Sequence, residues 1–232
     1  MTQLDVAAAT ANAHWCRAMC RAHRIDSRTT ATVWSSPRRT PPYYPDAITL
    51  TATTDADTAL TGIDDSAGCS VKDSFAVLDL SGRGYTVLLE AQWIHRPAPD
   101  PVDPPDDEEW TAVTTAEELE RWQREWSDDP CPAGVFVPAL LADPDVTIVA
   151  GRRGERFIGG GVLCRTGPGI DISNVFDRRG DLTATWRAVT AVASDRHRGS
   201  DLFGYEAGER LAAARRAGFV PVGPLRVWWR RT

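Results

Sequence analysis

The run from Pro97 to Glu109, PAPDPVDPPDDEE, constrains this chain more than any other stretch. Its five prolines remove backbone donors and its adjacent carboxylates repel one another, so neither helix nor sheet should persist there. It reads as a stiff, solvated linker (97–109) between a first half, 1–96, and a second, 110–232. An acidic recognition tract is the sharper alternative.

A hydrophobic content of 42% with nine tryptophans in 232 residues is enough for one large domain or two small ones, which argues against disorder throughout. Apolar runs such as Val87-Leu88-Leu89 are strand-sized, far below the roughly 20 residues needed to cross a bilayer. No membrane association is expected. The N-terminus lacks the basic and apolar regions of an export signal, so a cytoplasmic location is expected. A net charge of −6, much of it in Asp100–Glu109, argues against nucleic acid as a partner. Lys72 is the only lysine among 26 basic residues, a bias that a GC-rich genome explains.

The five cysteines are odd in number and scattered, which suits reduced thiols packed as small hydrophobes. Cys16, Cys20 and His23 share a helix face near His14, but their spacing fits no common zinc pattern. A half-buried helix face is expected there, and no metal.

In the first half, Leu4 to His23 reads as an Ala-rich helix and Arg24 to Asp46 as irregular. Pro41-Pro42-Tyr43-Tyr44-Pro45 either lines a substrate entrance or, the preferred reading, covers a core edge. Ala47 to Thr53 alternates as a strand, and Gly68 to Arg96 reads strand, short helix, Gly84 turn, strand. In the second half a strand at Trp110–Val113 precedes a capping box, Thr115-Ala-Glu-Glu118, and a helix to Trp126 that buries Leu119, Trp122 and Trp126. Strands follow at 146–150 and 157–164 around a Gly151-Arg-Arg-Gly154 turn, then at 170–176. A basic turn, Asp177-Arg-Arg-Gly-Asp181, leads to a helix over 182–193. A strand at 202–205, a helix at 207–217 and a strand at 222–229 complete the pattern.

Three stretches of this order carry a family resemblance: Ile172-Ser-Asn-Val-Phe176, Arg178-Arg-Gly180, and Leu211–Phe219 running into Val222–Trp229. The second half resembles the GCN5-related N-acetyltransferase (GNAT) superfamily. The resemblance implies an α/β fold with a mixed central sheet flanked by helices. It also implies N-acyl transfer from acetyl-CoA or another acyl-CoA to the amine of a small molecule. A turn with free N–H groups at a helix N-terminus can bind a pyrophosphate. On this reading Arg178, Arg179, Gly180, Asp181 and Leu182 form that turn, while Asn174, Val175 and Phe176 lie beside the thioester, with the N–H of Val175 or Phe176 as oxyanion donor. Glu206 is the candidate base and Tyr205 the candidate acid. The sequence departs from the family twice: Asp181 puts a carboxylate near the phosphates, and Ala214 stands where a tyrosine acid is frequent. Those departures favour one alternative, a non-catalytic GNAT-fold protein that binds a ligand or partner; a further alternative is a transferase whose donor is not CoA, such as an aminoacyl-tRNA, against which the acidic charge argues.

Gly84-Tyr85 and Gly218-Phe219 are each followed by a strand, with Trp93 against Trp228 and Arg96 against Arg230. The repeat suggests that the first half is a smaller, truncated GNAT-like lobe. Lacking a phosphate turn, it would wall the acceptor cleft. Lys72 and Asp73 would face the acceptor or, the preferred reading, form a surface ion pair. Alternation sends one of Trp228 and Trp229 outward, which would suit a homodimer contact.

Overall fold

A computed structural model describes residues 3–98, 108–127 and 134–231. Most of the acidic linker and Cys131 therefore lie outside the described residues. The first half contains helix α1 (Gln3–Ala22), strands β1 (Arg28–Thr29), β2 (Val33–Ser35) and β3 (Ala47–Thr49), the short helix α2 (Ala56–Leu60), β4 (Ser70–Asp73) and β5 (Tyr85–Arg96). The second contains β6 (Glu109–Ala112), α3 (Ala116–Trp126), β7 (Val146–Arg153), β8 (Arg156–Arg165), β9 (Ile170–Asp177), α4 (Leu182–Arg196), β10 (Leu202–Glu206), α5 (Gly208–Arg216) and β11 (Val220–Arg230). None of the described helices is long and apolar enough to cross a membrane.

All eleven strands among the described residues belong to one sheet, in the order β1-β2-β3-β4-β11-β5-β10-β9-β8-β7-β6. The two halves are interleaved within it. β5 pairs antiparallel with β10 along one edge and with β11 along the other, and β11 in turn pairs with β4. The strands that follow Gly84 and Gly218 are therefore immediate neighbours, and each lies beside a partner from the opposite half.

One face of the sheet carries α1 and α3. Trp15 and Met19 of α1 pack with Leu119 and Trp122 of α3 over Ile148, Val162 and Phe176. The other face carries α4 and α5, where Trp186, Val189 and Ala214 cover Leu163, Ile172 and Val175. Ala214 is buried against the sheet, and its methyl group offers no acid.

Several local expectations shift for identifiable reasons. The β7–β8 hairpin turns at Gly154, while Gly151 lies within β7, paired with Trp110 and Gly159, where a Cβ would meet the Trp110 ring at 2.5 Å. The strand expected over 47–53 ends at Thr49, where the backbone enters a bend. Residues 24–46 contain β1 and β2 rather than being wholly irregular. In β11, Trp228 is buried and Trp229 partly exposed.

Candidate active site

β9 and β10 are parallel and pair only at Ile170↔Leu202 and Asp171↔Phe203. Beyond those residues they part, and a cavity of about 310 Å³ opens between them and the N-terminal elements. A local irregularity in β9 shapes it. Ile170 and Ile172 point to the α4 face; then Asn174 adopts φ +54°, in the left-handed region that Asn tolerates better than most residues. The β8 register slips by one residue there, so Val175 returns to the α4 face and Phe176 to the α3 face. Asn174 is thus the extra residue of a bulge, and its Nδ2 donates to the Tyr44 hydroxyl at 3.4 Å.

The first half walls the cavity. Asn12, Trp15 and Cys16 of α1 line it, together with Tyr43, Tyr44 and Lys72. The Tyr43-Tyr44 segment therefore does more than cover a core edge. Tyr43 packs edge-on against Trp126, and Tyr44 against Trp15. Burial pushes the Tyr44 hydroxyl pKa well above its ordinary value.

Lys72 and Asp73 do not form a surface ion pair, since both are buried. Asp73 accepts from the N–H groups of Phe75 and Leu78, whereas Lys72 Nζ enters the cleft, donates to Asn12 Oδ1 at 2.6 Å and sits 4.1 Å from the Tyr205 ring centre. Asn12 Nδ2 reaches Asp171 Oδ1 at 3.5 Å. Burial pushes Asp171 up to about 6, against the pull of the Lys72 charge and the Asn12 and Ser173 hydrogen bonds. Its native pKa exceeds the unfolded value, so stability from this group is highest below about pH 4, falls as pH rises toward 6, and is lowest above that. Urea unfolding of wild type and Asp171→Asn should show this. Lowering the pH from 7 to 4.5 is expected to favour the wild type relative to the variant by about 2 kcal/mol. A pH-independent difference would refute the assignment.

Both candidate acid–base residues reach the cleft. The Tyr205 ring packs edge-on against Trp93 and lines the cavity. Glu206 pairs with Arg210, whose Nε lies 3.0 Å from Oε2 and whose guanidinium also donates to the Val175 carbonyl. Burial pushes the Glu206 pKa up, and Arg210 opposes that shift.

The basic turn has the expected backbone but different electrostatics. Gly180 takes φ +84° with open space where a Cβ would lie. Asp181 caps α4, accepting from Ala184 N at 2.9 Å. Asp177 accepts from the N–H groups of Arg179 and Asp181 at 3.0 and 2.8 Å and from the Thr185 hydroxyl at 2.6 Å. Burial pushes Asp177 up, but Thr185, Arg179 and the two N–H groups outweigh it and hold the carboxyl below its ordinary range. Arg179, expected to face phosphate, instead pairs with Asp177 and Glu108 beneath Trp110. Arg178 pairs with Glu125 at 3.5 Å and donates to the Ser127 carbonyl. Three carboxylates thus pair with the two guanidinium groups, a fourth, Asp181, caps the helix, and much of the turn's donor capacity is already used. These residues do not fit a pyrophosphate as a preformed cradle would. Leu182 begins α4 and packs with the α4-face core.

The expected thiol–imidazole face is divided. Cys16 and Cys20 are buried in the core, while His14 lines a separate groove and His23 bonds the Val135 carbonyl at 2.9 Å. Among the described residues no group of three or more His, Cys, Asp or Glu side chains is arranged to hold a metal.

Neither a family model nor a curated protein matches the sequence. Solved structures do match. A GCN5-related N-acetyltransferase from Kribbella flavida superposes with a TM-score of 0.62 at 14% identity, covering 95% of each chain. A conserved Staphylococcus epidermidis protein of unknown function gives 0.63 at 10% identity, covering 90% of this chain and 96% of that one. A Novosphingobium aromaticivorans protein assigned to the GNAT family gives 0.52 at 12% identity, covering 94% and 97%. At these identities the likeness is one of architecture: the chain has the GNAT fold.

Proposed function

We propose that the protein transfers an acyl group from a thioester to the amine of a small molecule held in the cleft between β9 and β10. The observation that carries this reading is the parting of those strands after Asp171 and Phe203, which opens a cavity between the β9 bulge and the Glu206 carboxylate. In the reaction the amine nitrogen bonds to the acyl carbon as the carbon–sulfur bond breaks. Glu206 takes the proton shed by the amine, and Tyr205 supplies one to the departing thiolate. Backbone N–H groups at Val175 and Phe176 are the proposed donors to the carbonyl oxygen.

Acyl-CoA is the donor that goes with the fold, but the acidic turn would hold its nucleotide end weakly. Titration calorimetry with acetyl-CoA tests this. Asp181→Gly is expected to tighten binding about threefold to fivefold by removing a carboxylate at a helix N-terminus. No heat from either protein at millimolar acetyl-CoA would exclude CoA as donor and favour a different activated acyl group. Absence of acyl transfer to any amine by a donor-binding protein would favour a non-catalytic role.

A further inference from the structure

We infer that the acceptor amine also bears a carboxylate, and that Lys72 is the group that holds it. The inference rests on the acyl-transfer reading for the word acceptor, but the binding chemistry follows from the cleft alone. Lys72 is 3% exposed and lines the cavity. An ammonium group withdrawn from water needs a counter-charge or several acceptors. Lys72 has three donors and, among the described residues, one hydrogen bond, to Asn12. The faces of Tyr205 and Trp93 supply some compensation, but among the described residues no carboxylate forms an ion pair with it.

The other groups around the cleft leave this charge available. On α1, Cys16 is neutral, its thiol pushed up to about 12 by burial. On β10, Glu206 is engaged by Arg210. On β9, Asp171 is fully buried and is hydrogen-bonded to Lys72 only by way of Asn12; the Lys72 charge acts on it across that gap without a direct ion pair, and its Oδ2 has no hydrogen-bond partner. A ligand carboxylate would make the direct, charge-assisted bond that the protein itself does not provide. The aromatic rings of Trp15, Tyr44 and Trp126 would receive an apolar side chain, and about 310 Å³ suits a molecule of amino-acid size. Such an anion would also offset the Lys72 charge that favours ionised Asp171, so binding should draw in a proton.

Calorimetry on the intact protein at pH 7 tests this with three probes: phenylalanine, phenethylamine, which lacks the carboxylate, and 3-phenylpropionate, which lacks the amine. Phenylalanine and phenylpropionate are expected to bind at least about tenfold more tightly than phenethylamine. Lys72→Met should abolish that preference. Titrations in phosphate and Tris should show net proton uptake with the two carboxylates and none with phenethylamine. Equal binding of phenylalanine and phenethylamine, or an unchanged preference in Lys72→Met, would overturn the inference. So would a failure of wild type to bind either carboxylate probe at millimolar concentration. If Lys72→Met does not fold, the preference and proton uptake of the wild type decide the matter. Carboxylate binding without turnover would leave this assignment standing and sink the acyl-transfer reading instead.

Discussion

Replacing Trp122 with alanine is expected to destabilise the protein by about 3–5 kcal/mol, the usual cost of deleting a fully buried large aromatic side chain. Trp122 is 0% exposed and joins α3 to the sheet. Its Nε1 donates to the Val149 carbonyl at 2.9 Å, and its ring packs edge-on against Phe136 and Phe176 at 5.0 and 5.2 Å. The fit depends on Gly160, where a Cβ would lie 2.6 Å from the Val149 carbonyl and press on the indole. Truncation would remove both aromatic contacts and leave a carbonyl and a cavity behind. Urea unfolding gives the measurement, and Trp122→Phe should recover part of the loss. A change below about 1 kcal/mol would mean that α3 packs in another way.

That helix was legible because several local signals agree on it. The Leu119, Trp122, Trp126 stripe selects a face, and Thr115 marks the start by accepting from Glu118 N at 3.2 Å. Glu118 returns the bond to Thr114 rather than to Thr115, a one-residue departure from the expected box. The strands of the second half were legible from apolar runs broken by glycine and charge. The order of the sheet was not, because the insertion of β5 between β10 and β11 is a pairing between distant segments. Its trace in the sequence was the Gly-aromatic repeat.

The candidate site shows the same division. Tyr205 and Glu206 could be placed from their position at the end of a strand. Asn12 and Asp171 could not, and Lys72 only as the less favoured of two readings, since the three come from elements that meet only in the folded chain. Lys72 and Asp73 looked like a surface pair because they are adjacent and opposite in charge. A strand turns neighbours to opposite faces, and both faces here are covered. The unusual lysine in an arginine-rich chain was the one available signal. Glu108 shows the converse: it belongs to an acidic run that reads as solvated, yet its side chain is buried against Arg179.

Glu206→Gln is expected to lower acyl transfer by about 10²–10⁴-fold, the range for losing a general base, with little change in acceptor binding. Glutamine keeps an oxygen that can accept from Arg210, so the loss should fall on kcat rather than on folding. The pH profile separates this from a purely structural effect. Because burial raises the Glu206 pKa, wild-type activity should fall as pH drops through a value above the ordinary glutamate range. Arg210→Met would remove the cation that opposes this shift, and the acid limb should move to higher pH. It would also free the Val175 carbonyl, so the limb's position, rather than the absolute rate, is the informative reading. If Glu206→Gln retains the acid limb unchanged, another group accepts the proton and Glu206 serves to position Arg210 against β9. A profile that loses the limb while the variant still binds acceptor would place proton removal on this carboxylate.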